Sequence, residues 1–318
     1  IKWSATRTDI ANYCRMRYWL RYVEHAPTSR LSVFPKGSLL HNLIEHFWDR
    51  LGTEEQIYTK GGNKRNIPQK YFDKDSFSNY STGKWMSEVY NDQQVRKKIE
   101  NGELHGSNLR KAEKNLIAWK TPQEPYEMKY QIRDITKTLY DHFMEEGPPL
   151  YSELKFDFVL RDLYFPDNAK NIFDMHFSGF IDEIRLRDGK VVVRDYKSGK
   201  PWVDEMKVRH DPQLTLYNIG LCSLVLRNDE MAEKLGLEER RKEYMGNPLF
   251  IDPEFIEEFF MMEAPLVAER MVAKNPNTDK KRLPLAINST KRTDEHFFEI
   301  VRMIKGTEES IEKGVVYP

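Results

Sequence analysis

Asp188-Gly189 lies between two runs of alternating apolar and polar residues, and it fixes the pairing of everything around it. Asp-Gly favours a two-residue type I′ turn, in which both central residues take positive φ. The stretch Gly179 to Gly199, GFIDEIRLRDGKVVVRDYKSG, is therefore expected to form a β-hairpin. The turn sets the register. Arg187 faces Lys190, Leu186 faces Val191, Ile184 faces Val193, and Asp182 faces Asp195. One face then carries Phe180, Asp182, Ile184 and Leu186 opposite Val191, Val193, Asp195 and Lys197. The other carries Glu183 and Arg185 beside Arg194, and Arg187 beside Lys190. That second face suits solvent or a polar interface.

The first face is apolar near the turn and should meet a core. At its far end it sets two aspartates against each other. Cross-strand Cβ atoms are roughly 4.5–5.5 Å apart, and like charges there are destabilising. A divalent cation with oxygen ligands relieves that repulsion, and Lys197 would stand beside it. The alternative is an ordinary diagonal ion pair between Asp182 and Lys197, with Asp195 at a solvated sheet end.

Asp195-Tyr196-Lys197 is a strand-borne D-x-K, with Asp182 thirteen positions before it. Ser198-Gly199 follows, and then Gln213-Leu214-Thr215-Leu216-Tyr217 on a helix that Asp211 and Pro212 are expected to open as N-cap and first residue. Gln213 and Tyr217, four apart, share a helix face. These motifs resemble the PD-(D/E)XK nuclease superfamily, and most closely its RecB-like branch. The resemblance implies a restriction-endonuclease-like α/β fold, a mixed sheet flanked by helices, with a large N-terminal helical region. It also implies metal-dependent hydrolysis of phosphodiester bonds, with Lys197, Asp182, Asp195, Gln213 and Tyr217 at the catalytic site and the Tyr196 carbonyl as a further metal ligand.

Gly37 to Leu51, GSLLHNLIEHFWDRL, reads as an amphipathic helix with a broad apolar stripe. Gly37, His41 and Glu45 match the family's G-x-x-x-H-x-x-x-E, so His41 is an implied metal ligand and Glu45 a weaker candidate. Imidazole beside two carboxylates favours Mn²⁺ over Mg²⁺. Tyr151 to Leu160, YSELKFDFVL, alternates as a strand. Its Glu153 corresponds to an acidic residue of the family, although an ordinary strand glutamate fits equally well.

Residues 4 to 23 read as one amphipathic helix, capped by Ser4 or Thr6, with Ile10, Tyr13, Cys14, Tyr18 and Leu20 apolar. Arg7, Arg15, Arg17 and Arg21 alternate with Tyr13, Tyr18, Trp19 and Tyr22. Rings that stack on bases and guanidinium groups that meet phosphates suit single-stranded nucleic acid. A partly buried helix with a solvated arginine face is the other reading. Cys14 also matches an iron–sulfur ligand of many relatives. The three partner cysteines are absent, and Cys222 lies within the Gln213 helix, so an iron–sulfur cluster is not expected here and Cys14 reads as a buried thiol. The chain starts at Ile1 rather than Met and stops at Pro318, where residues are expected to be missing.

Helices are expected around 84–101, 104–120 and 125–146, in an interval that relatives use to cover the active site. Their Lys97, Lys98, Arg110, Lys111, Lys114 and Lys120 could follow a phosphate backbone or form a solvated face. The basic loop 60–65, a loop over 165–171 and a linker over 200–210 are also expected. A long hydrophobic helix over 250–273 should follow, then a basic loop with Lys280, Lys281, Arg282, Lys291 and Arg292, and a last helix from Thr293 to Lys305 that Gly306 stops. The parts are 1–51, an N-terminal helical region, 52–150, a helical insertion, and 151–318, the nuclease core.

Fifty basic and fifty acidic side chains give no net charge, which leaves nucleic acid binding to local clusters. No apolar run suits a membrane span. Two cysteines provide no disulfide framework, which fits a reducing cytoplasm, and the resemblance implies a bacterial or phage source and work in repair or recombination. DNA is the implied partner. Action as an exonuclease on single-stranded ends is expected first. A structure-selective or restriction-type endonuclease comes next, then a nuclease-fold module that binds without cutting. No Walker A motif marks a helicase.

Overall fold

The computed structural model describes residues 1–26, 30–31, 33–52, 55–58, 64–67, 73–165, 168–198, 205–246, 251–262 and 285–314. The chain begins with β1 (Lys2–Trp3), α1 (Ala5–Tyr13) and α2 (Arg15–Tyr22). β2 (Arg30–Leu31), α3 (Val33–Glu45), α4 (Phe47–Gly52) and the hairpin β3 (Glu55–Tyr58) with β4 (Lys64–Ile67) follow. α5 (Lys74–Glu100), α6 (Gly106–Asn115), β5 (Ile117–Ala118) and α7 (Glu124–Glu146) lead to β6 (Tyr151–Phe165), β7 (Asn168–Arg187) and β8 (Lys190–Lys197). Then come α8 (Glu205–His210), α9 (Pro212–Arg227), α10 (Asp229–Leu235), α11 (Glu238–Gly246), β9 (Ile256–Met262), β10 (Leu285–Thr290) and α12 (Asp294–Glu312).

The mixed sheet runs β1-β7-β8-β9-β10, with β6 on the free side of β7. The expected turn is present: Asp188 has φ 53° and Gly189 φ 74°. The register is the expected one from Arg187↔Lys190 back to Glu183↔Arg194. There the paired ladder ends. Farther back, β7 pairs with β1 at His176 and Phe177. Among the described residues, 178–182 therefore have no paired strand on that side, while β6 continues along the other.

Helices cover both faces. Val191, Val193 and Phe259 join one core with α1, α9 and α12, through residues such as Ile10, Leu216 and Ile300. Tyr196, Phe260 and Met262 join a second core with α3, α5 and α7, through Leu40, Phe77 and Ile135. The strip β1 and helix α1 thus share a core with the C-terminal strands. Among the described residues no helix is long and apolar enough to cross a membrane.

Strict alternation does not hold throughout the hairpin. Phe177 and Ile181 are inward on the α9 side, but so is Ile184. β6 does the same: Phe156 and Phe158 lie in that core, as does the packed edge of Tyr151. The two strands exchange inward parity together at Glu153 and Asp182. Glu153 has φ 47°, a left-handed conformation uncommon for a glutamate. Phe180 is consequently exposed rather than on the core face with Ile184.

The charged face of the hairpin meets a polar interface. Arg194 is 0% exposed. It donates to both oxygens of Glu146 at 2.8 and 3.0 Å and to Glu258 at 3.1 Å. Arg185 reaches Glu146 at 2.8 Å and Glu183 at 2.5 Å, and Arg187 donates to Glu258. Burial opposes the Glu146 carboxylate, but His142, Arg194 and Arg185 hold its pKa well below the usual range.

Other expectations change. The N-terminal helix is two helices, because Cys14 is extended and caps α2, its Sγ accepting from the Arg17 N–H at 3.4 Å. Cys14 is half-buried, not buried. The His41 helix breaks at His46 before α4, and α5 begins ten residues earlier than expected. The expected loop over 165–171 is largely strand: Leu163 is buried and the Phe165 and Phe173 rings meet at 5.4 Å, which carries the pairing onward. The linker contains α8. Ile256–Met262 is not helical but a parallel strand against β8. Phe259 and Phe260 feed opposite cores, and a short apolar run does not distinguish strand from buried helix by periodicity. Residues 263–273 lie outside the described residues, as do Lys280, Lys281, Arg282 and most of the basic loop 60–65. Gly306 does not stop α12. A Cβ there would lie 3.0 Å from the Arg15 guanidinium, so the glycine makes room for that side chain.

Arg194→Ala leaves Glu146, Glu183 and Glu258 without their shared cation. We expect a loss of about 3–5 kcal/mol of unfolding free energy in urea denaturation. Arg187→Ala should cost less, because Glu258 keeps Arg194.

Candidate active site

The site forms where β7 and β8 separate. Asp182 replaces the missing ladder partner: its Oδ2 accepts the Tyr196 N–H at 2.9 Å. Its Oδ1 accepts from the Tyr217 hydroxyl at 2.9 Å, and that hydroxyl is 3.4 Å from Asp195 Oδ1. α9 is set in place by Asp211, whose side chain accepts the Gln213 N–H at 2.8 Å, with Pro212 at the first turn. Gln213 Nε2 donates to Asp195 Oδ1 at 2.5 Å and to Tyr217 Oη at 2.8 Å. Its Oε1 accepts from Lys197 Nζ at 2.5 Å. Lys197 Nζ also lies 2.8 Å from Asp195 Oδ2, an ion pair at hydrogen-bonding distance.

α3 brings His41 from the other face. It approaches the end of β8 closely: a Cβ on Gly37 would lie 3.0 Å from Ser198 Oγ. His41 Nε2 is 2.7 Å from the Tyr196 carbonyl oxygen. Its Nδ1 is 3.4 Å from Asp182 Oδ2 and 4.0 Å from Glu153 Oε1. One ligand atom from each of His41, Glu153 and Asp182 lies within 4.8 Å of the others.

Burial raises the Asp182 carboxyl to about 7, with the charge of Asp195 adding to it. Burial pulls His41 down, but Glu153, Asp182 and Asp195 more than offset it and hold the imidazole at about 9. A protonated imidazole thus sits between acceptors as a cation. Lys197 is also raised, since Asp195 outweighs its burial. A raised Asp182 carboxyl, the Glu153 carboxylate, a main-chain carbonyl and an imidazole fit a divalent cation.

The structure gathers His41, Asp182, Asp195, Tyr196, Lys197, Gln213 and Tyr217. It also brings in Glu153, for which residue type alone gave no preference. Its signal was the register: β6 pairs Ser152 with Glu183 and Leu154 with Ile181, and Glu153 lies between them as Asp182 does on β7. Glu45 is not among the clustered ligand atoms, and its carboxylate lies 3.7 Å from the His46 ring.

The N-terminal set is not a uniform stacking surface. Tyr18 is 2% exposed and stacks on Trp3 with centroids 5.3 Å apart, which corrects the expectation of a ring open to bases. Arg7 donates to the Lys2 carbonyl at 2.6 Å and lies over the Tyr22 ring, as does Arg21. Arg15 donates to Ser310 at 3.2 Å. Arg17 is exposed and Trp19 half-buried. Arg292 is buried and donates to the carbonyls of Val208 and Arg209, so it is not a phosphate contact. Lys97, Lys98, Arg110, Lys111, Lys114, Lys120 and Lys291 are exposed.

A family model described as the PD-(D/E)XK nuclease superfamily matches residues 2–308. No curated protein matches the chain.

A divalent cation held by this group would require Asp182 ionised and His41 neutral, so protons would compete with it. Both groups are raised. Below pH about 7 both must lose a proton, and between about 7 and 9 chiefly His41 must. Mn²⁺ affinity should therefore climb steeply to pH about 7, more gently to about 9, and then level off. Calorimetric titration in buffers of different ionisation enthalpy checks the proton release; a flat affinity from about pH 6 to about pH 9 would contradict it.

Proposed function

The chain belongs to the PD-(D/E)XK nuclease superfamily, and from that premise we propose that it is a metal-dependent deoxyribonuclease of the RecB-like branch, acting as an exonuclease on single-stranded ends. The carrying observation is the convergence of Asp182, Asp195 and Lys197 at one opening, with Tyr217 Oη on Asp182 and Lys197 Nζ 2.8 Å from Asp195 Oδ2. Asp182, Asp195, His41 and the Tyr196 carbonyl would hold Mn²⁺ or Mg²⁺, with Glu153 a further ligand or a support for His41. Such an ion, when bound, supplies a water of lowered pKa and relieves charge on the phosphoryl oxygens.

The chain's own residues do the rest. Lys197 orients the attacking water and stabilises negative charge as it develops on the phosphate. Gln213 fixes Lys197 and Asp195 relative to one another through its two ends. Tyr217 spans the two aspartates and keeps them in register. Tyr196 anchors its own carbonyl, because its hydroxyl donates to Glu183 in the buried charge network.

Single-stranded ends are favoured by the surface of the first two helices. Tyr13 is 82% exposed, and Arg17 and Trp19 reach solvent nearby. α1 packs on α9, the helix that bears Gln213. A strand following this surface therefore approaches the site along α9.

The experiment is digestion of end-labelled single-stranded DNA, circular single-stranded DNA and duplex with Mn²⁺, Mg²⁺ or EDTA. Metal-dependent loss of linear strands with circles spared is expected. Lys197→Ala should lower kcat roughly 10²–10³-fold, and Asp182→Ala should abolish cutting. Cut circles would move the reading to an endonuclease. DNA binding without cutting by the wild type would leave a non-catalytic module.

A further inference from the structure

The strands continue past the metal group, and their outer surface there is open. Lys155 and Phe180 are register partners on β6 and β7. Phe156 and Ile181 take the inward places beside them, so Lys155 and Phe180 face away from the α9 core. That is the side from which α3 carries His41. Phe180 is 51% exposed, and its ring meets no other ring or cation among the described residues. Lys155 is exposed and has no ion pair among the described residues.

A single exposed hydrophobic residue is common and by itself decides nothing. Position decides here. Two strand residues span roughly 6.6 Å. Phe180 is two residues from Asp182, and Lys155 two from Glu153. An aromatic ring and a free ammonium group thus flank the two carboxylates on adjacent strands. The one acidic group next along β6 is already matched: Asp157 bonds Lys2 at 2.5 Å and His176 at 2.6 Å. The surface is therefore cationic at Lys155 and aromatic at Phe180, the combination that holds a single nucleic-acid strand by phosphate contact and base stacking. A paired base would have both faces covered by its neighbours and would offer the ring nothing.

We propose that Phe180 is the stacking platform of a nucleobase subsite, taking an unpaired base next to the scissile phosphate while Lys155 meets the flanking phosphate. This rests on the nuclease reading above, and gives its substrate: strands with unstacked bases. Phe180 selects, and Lys155 adds affinity without selecting.

The test measures binding, so it does not depend on cutting. Fluorescence anisotropy, with Ca²⁺ in place of Mn²⁺, compares oligothymidylate with an abasic deoxyribose-phosphate strand of the same length. The wild type should prefer the strand with bases. Phe180→Ala should reduce that preference about tenfold, Phe180→Trp should keep it, and Lys155→Ala should weaken both strands alike. Mn²⁺ affinity should be unchanged in all three. The subsite is overturned if the wild type shows no preference, if Phe180→Ala retains it, if Phe180→Trp loses it as deeply, or if the loss follows lost Mn²⁺ affinity. A wild type that binds with the expected preference but never cuts would sink the nuclease reading and leave the subsite standing.

Discussion

One hydrogen bond organises the molecule: the Tyr196 N–H on the Asp182 carboxylate. Up to Glu183 and Arg194 the two strands exchange ordinary ladder bonds. Beyond that pair a side chain takes over from the backbone. The substitution lets β8 diverge without leaving a buried N–H unpaired, which would be costly. It also presents Asp182 and the Tyr196 carbonyl to the same opening. Lys197, the next residue on β8, then falls on the α9 side with Asp195. Strand divergence, carboxylate placement and main-chain carbonyl orientation are one event.

The opening is held from behind by a layer of buried charge. Tyr196 ties the two together, its N–H on Asp182 and its hydroxyl on Glu183. Arg194 joins Glu183 to Glu146 on α7 and to Glu258 on β9. Such networks contribute less net stability than an apolar core of the same volume would, because every charge loses its water. They are directional, however. A greasy layer would tolerate sliding of β8 against β7; bidentate arginine contacts do not. In front, α9 supplies Gln213 and Tyr217 as a second directional clamp, so the repelling aspartates are fixed from both sides.

The sequence was most legible where a local device set the geometry. Asp188-Gly189 pinned the hairpin register residue by residue, and Asp211-Pro212 marked the start of α9. His41 came from resemblance, because nothing in the periodicity of its helix separates it from a packed histidine. Glu153 could have been read by carrying the register one strand further. The exchange of parity at Glu153 and Asp182 was not legible: alternation describes a strand locally and holds no information about a neighbour that leaves. The same limit hid β9, where Ile256–Met262 feeds both faces and so carries no period. Tyr18 was readable both as part of the apolar side and as a stacking ring, and only its packing on Trp3 decides for the first.

The proposed divalent-cation site lies where β7 and β8 diverge. Crystals grown with Mn²⁺ and measured at the manganese absorption edge test it directly. An anomalous peak bounded by Asp182, Asp195 and the Tyr196 carbonyl is expected, with the His41 ring no longer hydrogen-bonded to that carbonyl. A peak elsewhere, or none in a protein whose DNA cleavage still requires Mn²⁺, would contradict it.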